Sequence, residues 1–345
     1  MFGAHVFVDR SQFPENVRRD LLVSLATRVI NHKFHYESYK QAAKWLALHD
    51  AYSPARTDAS CGRIYDQAFS AALSEIHGTH IRVVGLGCGG GMKEARLLEL
   101  LHHRKRKLAY TAIDVSLPLV LTARKLALPF VTEKNCEAGV CDLGADNDLA
   151  KLFSDDRTRS PRLFTLFGVI PNFEPARLLC QVARLLSAND LFLFSANLAA
   201  GQDYAAGVRA VLPQYDNVLT CDWLMTLLLD LGFEHGDGKM TFRIETDKRR
   251  FHRITADFEI CRSRDIRVFG RNISYRAGER MQIFFSYRHT SQTIQNLLAE
   301  HAIALVDCWL NDSGEEGVFL CRKITRHSRT SRQRRAHSRS GARPD

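Results

Sequence analysis

The feature that most constrains this chain is an apolar run that ends in a cluster of glycines, at residues 81–91. The run at 81–86 has the composition of a buried parallel strand, and the apolar side chains at 95–101 have helical spacing. Glycines between a strand and a helix let the backbone approach a ligand, and the helix N-terminus offers unpaired N–H groups there. We therefore predict a nucleotide-like cofactor at this turn, although a lone Gly-x-Gly-x-Gly does not say which one.

Strand and helix patterns alternate from the glycine turn to residue 197. Strands are predicted at 81–86, 108–113, 137–143, 162–168 and 190–196. This alternation is typical of an α/β fold with a mainly parallel, doubly wound sheet. Beyond residue 197 the pattern changes. A helical region at 201–240 is followed by predicted strands at 241–258 and 259–268, and by a closing antiparallel hairpin at 304–310 and 317–321.

Charge and composition limit the partners of the chain. Nine Lys/Arg and one acid lie between Arg322 and Asp345, so this end supplies +8 (9 − 1) of the formal +10, and the rest carries only +2 (10 − 8). A nearly neutral body gives no reason to expect a nucleic-acid-binding domain. The basic tail at 324–345 is almost free of apolar residues and is predicted to be disordered; a polyanion is a possible contact for it alone.

The cysteines and apolar runs indicate the compartment. Nine cysteines are scattered without a C-x-x-C pair, which predicts reduced thiols and neither a disulfide framework nor a metal site. No apolar run has the length of a membrane span, and the N-terminus lacks the pattern of a signal peptide. We expect a cytoplasmic protein without a membrane partner.

Two acids follow predicted strands. Asp114 ends the second strand and can accept hydrogen bonds from both ribose hydroxyls of a cofactor, but a helix N-cap explains it equally well. Asp142 and Leu143 follow the third strand and can hold the edge and the face of an adenine. Considered alone, Asp142 is better explained as an exposed loop acid. This pattern fits either a nicotinamide cofactor or S-adenosylmethionine (SAM).

The segment Ile-Pro-Asn-Phe-Glu-Pro at 170–175 follows the fourth strand, at the edge where ligands bind in open α/β sheets. The amide of Asn172 can hold a substrate's polar head in line with the reactive group of the cofactor. The alternative is a turn that is shaped by its Asn and Pro residues.

With these segments the chain resembles the histidine-specific, SAM-dependent Nα-methyltransferase family, known for making trimethylhistidine in ergothioneine biosynthesis. The similar segments are Tyr-Ser-Pro-Ala-Arg-Thr-Asp at 52–58, Leu-Gly-Cys-Gly-Gly-Gly-Met-Lys at 86–93, Ile-Asp-Val-Ser at 113–116, 167–175, and 275–287. They occur in the family's order and span roughly residues 33–323. The resemblance implies a Rossmann-like class I methyltransferase core at 62–197 and 287–323. It also implies a second, α+β substrate-binding domain at 1–61 and 198–286.

The resemblance implies roles for single residues. For the cofactor SAM, the implied binding residues are Gly87 and Gly89 beside it, Lys93 at its methionine carboxylate, Asp114 at its ribose, and Asp142 and Leu143 at its adenine. For an amino-acid substrate, the implied residues are Asn172 and Tyr215 at its carboxylate and amine, and Tyr52 and Ser286 at its side chain. For Tyr215, a packed surface aromatic is the alternative.

Two positions depart from the family. Phe284 stands where the family has the glutamate that binds the histidine imidazole, and it cannot accept an imidazole N–H. It can stack on an aromatic or apolar side chain instead, and the family includes enzymes that methylate a prenylated tryptophan. A one-residue misalignment with Phe285 is the alternative. Gly85 stands where many methyltransferases carry an acid, which need not abolish cofactor binding.

The predicted function is SAM-dependent methylation of the α-amino group of an amino acid or related small amine, with histidine doubtful as the substrate. Methyl transfer from a sulfonium needs alignment and exclusion of water, so we predict binding and positioning residues and no catalytic acid, base or metal. A NAD-dependent oxidoreductase and a non-catalytic binding protein with this fold are the alternatives.

Overall fold

The computed structural model describes residues 5–145, 149–153 and 160–324. The helices are α1 (Pro14–Thr27), α2 (Tyr39–Tyr52), α3 (Pro54–Thr57), α4 (Ala59–Glu75), α5 (Met92–His103), α6 (Leu117–Ala127), α7 (Pro175–Leu185), α8 (Tyr204–Val211), α9 (Val218–Asp230) and α10 (Ser291–Glu300). The strands are β1 (Val6–Val8), β2 (His80–Leu86), β3 (Lys107–Asp114), β4 (Cys136–Val140), β5 (Arg162–Leu166), β6 (Leu191–Asn197), β7 (Gly238–Thr246), β8 (His252–Ile260), β9 (Arg264–Val268), β10 (Arg271–Tyr275), β11 (Arg280–Arg288), β12 (Ile303–Leu310) and β13 (Glu316–Lys323). The predicted disordered tail lies outside the described residues, apart from Ile324.

An eight-stranded sheet forms the centre, in the order β1-β4-β3-β2-β5-β6-β13-β12. Strands β1 to β6 run parallel, whereas β13 is antiparallel to both β6 and β12. The predicted α/β fold with a mainly parallel sheet is confirmed, and so is the closing hairpin. Because the chain order reverses beside β2, the carboxyl ends of β2 and β5 border a crevice of the kind in which open α/β sheets bind ligands.

Helices cover both faces of this sheet, which explains why its central strands are continuous apolar runs. Successive residues of β2 point to opposite faces, so Val83 packs in one core with α4, α5 and α6, and Val84 packs in another with α7 and α10. Both valines are fully buried. The core therefore fixes the strand ends, where the predicted cofactor residues lie.

A second group of elements packs over the carboxyl edge of the sheet. It contains a three-stranded sheet, β11-β8-β7, and a two-stranded sheet, β10-β9. These strands share a hydrophobic core with α1 and α9. The predicted single strand at 241–258 is wrong, because β7 and β8 form a hairpin. Asp247 shapes its turn by accepting hydrogen bonds from the N–H groups of Arg249 and Phe251, both at 2.8 Å.

Strand β1 joins the outer edge of the large sheet by pairing with β4. It belongs to the N-terminal region that the sequence places in the substrate-binding domain, and that division remains a prediction. Within the described ranges, no helix is both long enough and apolar enough to cross a membrane.

Candidate active site

A cavity of about 530 Å³ lies between the carboxyl edge of the large sheet and the elements that pack over it. This volume is within the usual range for small-ligand sites, about 300–1,000 Å³. The predicted residues that line it are Tyr52, Gly87, Gly89, Lys93, Asp114, Asp142, Leu143, Asn172, Tyr215 and Phe284. The remaining predicted residue, Ser286, does not line the cavity itself but is hydrogen-bonded to Tyr215, which does. The structure thus brings residues from seven separate parts of the chain to one site.

The glycine turn joins β2 to α5 and forms the floor of the cavity. Gly87, Gly89 and Gly91 have φ angles of 60°, 53° and 73°, in the left-handed region that favours glycine. A Cβ at Gly87 would lie 2.6 Å from Val169 Cγ2, and one at Gly91 would lie 2.5 Å from Ala123 Cβ. The turn is therefore specific to glycine, and its residues line the cavity.

Asp114 ends β3 and ties that strand to the glycine turn. Its Oδ2 accepts a hydrogen bond from the Gly89 N–H (2.9 Å) and its Oδ1 accepts one from the Ser116 N–H (3.0 Å). Ser116, not Asp114, is the N-cap residue of α6, so the N-cap explanation for Asp114 is wrong. Burial raises the pKa of the Asp114 carboxyl to about 6. A buried carboxylate beside the turn fits the predicted contact with ribose hydroxyls.

Asp142 and Leu143 follow β4 and are both buried, so the alternative explanation of Asp142 as an exposed loop acid is wrong. Asp142 Oδ1 accepts a hydrogen bond from the Gly144 N–H at 2.7 Å, and its Oδ2 lies 3.3 Å from Lys33 Nζ. Lys33 is itself fully buried and also pairs with Asp20 at 2.7 Å. The N-terminal region thus supplies a cation that fixes the predicted adenine-binding acid. No residue pattern predicts this contact.

Lys93 lies on the first turn of α5. Its Nζ donates a hydrogen bond to the Tyr65 hydroxyl at 2.7 Å and lies 3.8 Å from Glu316 Oε1. The Tyr65 hydroxyl in turn donates to Glu316. This arrangement holds the ammonium group of Lys93 at the cavity wall, where it can meet an anionic ligand group.

Glu94, the next residue, was not predicted as a site residue. It is buried at the cavity wall, and its Oε1 accepts a hydrogen bond from Thr165 Oγ1 at 3.0 Å. A Cβ at Gly85 would lie 3.4 Å from Glu94 Cγ. Burial raises the pKa of Glu94 to about 7. A carboxyl group therefore stands beside the glycine that replaces the usual acid, but it comes from the helix instead of the strand.

Phe284 lines the cavity in a cluster of aromatic rings. It packs edge-on against Trp223, with ring centroids 5.8 Å apart, and lies 6.3 Å from the Tyr215 ring. Tyr36 and Trp45 extend this cluster, since the Tyr36 ring lies 5.4 Å from Trp223 and 5.9 Å from Trp45. We call these five residues the aromatic wall. It offers a surface for an apolar or aromatic group.

The alternation of β11 decides which phenylalanine faces the site. Phe284 lines the cavity, and Phe285 faces the other way, with its ring 5.2 Å from the Arg253 guanidinium carbon. A bulge between Gln282 and Phe284 allows Ile283 to be buried as well. Phe284, and not its neighbour, is thus the residue that a ligand would meet.

Asn172 and Tyr215 are both tied to β11. Asn172 Nδ2 donates a hydrogen bond to the Phe285 carbonyl at 2.9 Å, and the Tyr215 hydroxyl bonds with Ser286 Oγ at 2.9 Å. Tyr215 therefore has a fixed place at the cavity and is not a packed surface aromatic. These bonds orient both side chains for the predicted contacts with a substrate.

One face of α2 forms the roof of the cavity. Trp45, His49 and Tyr52 follow one another at helical spacing and all line it, with Tyr52 half exposed. Desolvation, with the positive charges of Lys93 and Arg56, lowers the pKa of His49 to about 4. The imidazole is thus neutral at ordinary pH. The sequence analysis predicted Tyr52 but not Trp45 and His49, although their helical spacing places all three on one face of α2.

A model of the histidine-specific, SAM-dependent methyltransferases matches residues 44–323. The chain belongs to this family. Membership confirms the predicted methyltransferase fold, SAM as cofactor and SAM-dependent methyl transfer as the activity. The NAD-dependent alternative is therefore set aside.

Within the described residues, no group of three or more His, Cys, Asp or Glu side chains could hold a metal ion.

Several solved methyltransferase structures match the chain at low sequence identity. The CcbJ methyltransferase from Streptomyces caelestis is 11% identical, with 75% of this chain and 95% of that one covered and a TM-score of 0.39. Magnesium protoporphyrin IX methyltransferase from Synechocystis is 9% identical, with 83% and 95% covered and a TM-score of 0.44. The 1,6-didemethyltoxoflavin-N1-methyltransferase of Burkholderia thailandensis is 13% identical, with 83% and 89% covered and a TM-score of 0.41. Among curated proteins, none matches this sequence.

Proposed function

We propose that this methyltransferase transfers a methyl group to the α-amino group of an amino acid or related small amine whose side chain is not the imidazole of histidine. The observation that carries the proposal is the position of Phe284. It lies in the aromatic wall, where the family resemblance implies a glutamate for the imidazole. The other implied substrate residues, Asn172 and Tyr215, are present at the same cavity.

The pocket chemistry disfavours histidine. A buried imidazole N–H needs an acceptor, and an unpaired buried polar group costs about 1–3 kcal/mol. Phe284 and Trp223 offer ring surfaces instead. Aromatic pairs add about 0.5–1.5 kcal/mol beyond their buried area. The wall therefore favours an apolar or aromatic side chain over a polar ring.

The reaction needs little acid–base chemistry from the protein. When bound, SAM supplies an electrophilic methyl group. A deprotonated substrate amine would accept this methyl group, with S-adenosylhomocysteine as the other product and one proton released to solvent. Asn172 and Tyr215 would orient the amine and carboxylate, and the aromatic wall would exclude water from the reacting centre. We assign no general base, because the amine would bind already deprotonated; His49, with its lowered pKa, would also be a poor proton acceptor.

We also propose that residues 1–61 and 198–286 act as the substrate-binding domain, with residues 62–197 and 287–323 as the SAM-binding core. The shared hydrophobic core supports this division, because Leu25 and Phe34 pack with Leu224 and Phe258. Two parts of residues 1–61 are exceptions: β1 pairs with the core sheet, and the start of α4 bonds to the core through Asp58 and Asn311.

The test is incubation of the protein with isotopically labelled SAM and each of the common amino acids, followed by mass analysis. We expect methylated products from apolar or aromatic amino acids and little from histidine. Histidine as the best substrate would contradict the proposal.

A further inference from the structure

Arg288, the last residue of β11, is a buried cation at the wall of the cavity. It is 6% exposed and lines the cavity together with Tyr215. Its Nη1 donates a hydrogen bond to the Leu198 carbonyl at 3.3 Å, and its Nε is buried without a partner. The guanidinium carbon lies 5.4 Å from the centroid of the Tyr215 ring. One hydrogen bond and one ring contact hold the group in place without neutralising it.

The charge of Arg288 has no counter-charge in the described part of the chain. Glu315 and Glu316 line the same cavity, but Glu315 binds Gln214 at 2.9 Å and Glu316 binds Tyr65. Neither forms an ion pair with Arg288. A buried charge is costly unless an opposite charge meets it. An uncompensated guanidinium at a ligand cavity therefore points to an anionic group on the ligand.

The position of Arg288 indicates which ligand it serves. Phe284, Ser286 and Arg288 alternate along β11 and share its cavity face. Tyr215 connects them, since its ring contacts Phe284 and Arg288 and its hydroxyl contacts Ser286. This is the proposed substrate end of the cavity. The first turn of α5 has a cation of its own, Lys93.

We infer that Arg288 binds the carboxylate of the substrate, so that the enzyme selects amino acids over amines that lack this group. The planar guanidinium can donate two parallel hydrogen bonds to a carboxylate, and Lys cannot reproduce this geometry. The inference rests on the proposed function, because it names the group of that substrate that one residue holds. It adds a specificity-determining residue to Asn172 and Tyr215.

The test compares the common amino acids with the amines that remain when their carboxylate is removed, such as tryptophan with tryptamine. Methylation with labelled SAM and calorimetric titration into the S-adenosylhomocysteine (SAH) complex are measured for wild type, Arg288→Gln and Arg288→Lys. We expect wild type to prefer each accepted amino acid over its amine by about 10- to 100-fold. Arg288→Gln should remove this preference, and Arg288→Lys should keep part of it.

Two controls separate the outcomes. SAH affinity should be unchanged in both variants, which shows that they fold. Arg253→Gln removes an arginine from the other face of the same sheet and should keep the preference. Equal use of amines and amino acids by wild type, or an unchanged preference in Arg288→Gln, would overturn this inference alone. Rejection of every compound by wild type would overturn the proposed function and this inference with it.

Discussion

The Phe284 ring meets the Trp223 ring edge-on, with centroids 5.8 Å apart and an interplanar angle of 75°. The two residues come from β11 and α9, so neither element alone builds this contact. Under the proposed function, it places a hydrocarbon surface where an imidazole would need an acceptor. The contact therefore bears on the proposed substrate choice.

Phe284→Glu should shift substrate preference towards histidine. The new carboxylate can accept the imidazole N–H, and we expect the ratio of histidine turnover to that of the best apolar amino acid to rise by about 10-fold or more. Competition assays with both amino acids and labelled SAM measure this ratio. Phe285→Glu is the matched control, because that side chain faces away from the cavity. An unchanged ratio in Phe284→Glu would show that residue 284 does not contact the substrate side chain.

Asp114 should make cofactor affinity depend on pH. Its pKa of about 6 belongs to the free protein, and hydrogen bonds from ribose hydroxyls favour the carboxylate. Binding then lowers this pKa, so the affinity for SAH should fall as the pH drops through about 6. Asp114→Ala should bind SAH at least 10-fold more weakly.

Calorimetry of SAH binding between pH 5 and pH 8 tests this dependence. Glu94 titrates nearby, at about 7, so Asp114→Asn and Glu94→Gln are titrated in parallel. A wild-type affinity that is flat with pH, or equal pH profiles for wild type and Asp114→Asn, would contradict the role of Asp114.

Ionisation of Glu94 should lower the free energy of unfolding of the cofactor-free protein at high pH. Its folded-state pKa of about 7 lies above the ordinary value near 4.3, so the folded state favours the neutral carboxyl. This contribution to the free energy of unfolding is fully present below about pH 4 and is lost as the pH rises through 7. Glu94→Gln keeps an acceptor for Thr165 and cannot ionise.

Thermal unfolding without cofactor checks the consequence. The free energy of unfolding of Glu94→Gln should exceed that of wild type by about 1–3 kcal/mol at pH 8, and the two should match near pH 4. A difference that does not change between these pH values would mean that Glu94 stays ionised throughout.

The positive charge of Lys33 should stabilise the buried carboxylate of Asp142 and so raise the free energy of unfolding. Its ammonium lies 2.7 Å from Asp20 and 3.3 Å from Asp142. Lys33→Met leaves the buried Asp142 without its cation and should destabilise the protein by about 3 kcal/mol in urea unfolding. Adding Asp142→Asn should restore part of this loss. A double variant no more stable than Lys33→Met would show that the two charges are not coupled.

The core of the fold could be predicted because its signals are local. The buried runs of β2 and β3 and the glycine turn each depend on a few consecutive residues. The hairpin between β7 and β8 was missed because its turn at 247–251 contains no Gly or Pro. Arg250 takes a φ of 64° there, which its residue type does not predict.

In the candidate site, the glycine turn and the polar residues at strand ends could be predicted from position alone, and the remaining substrate residues only from the resemblance. Trp223 and Trp45 lie on different helices, and only tertiary packing brings them to one wall. Glu94 and Arg288 resemble surface charges in the sequence, and their burial depends on neighbours far along the chain. The contact between Glu94 and Gly85 needs the turn geometry, which no residue pattern gives.

The most direct test of the account is mass analysis of wild-type protein incubated with labelled SAM and the common amino acids, one at a time. We predict transfer to the α-amino group of an apolar or aromatic amino acid, with histidine modified at least about 10-fold more slowly. Fastest methylation of histidine, or transfer to none of the amino acids, would contradict it.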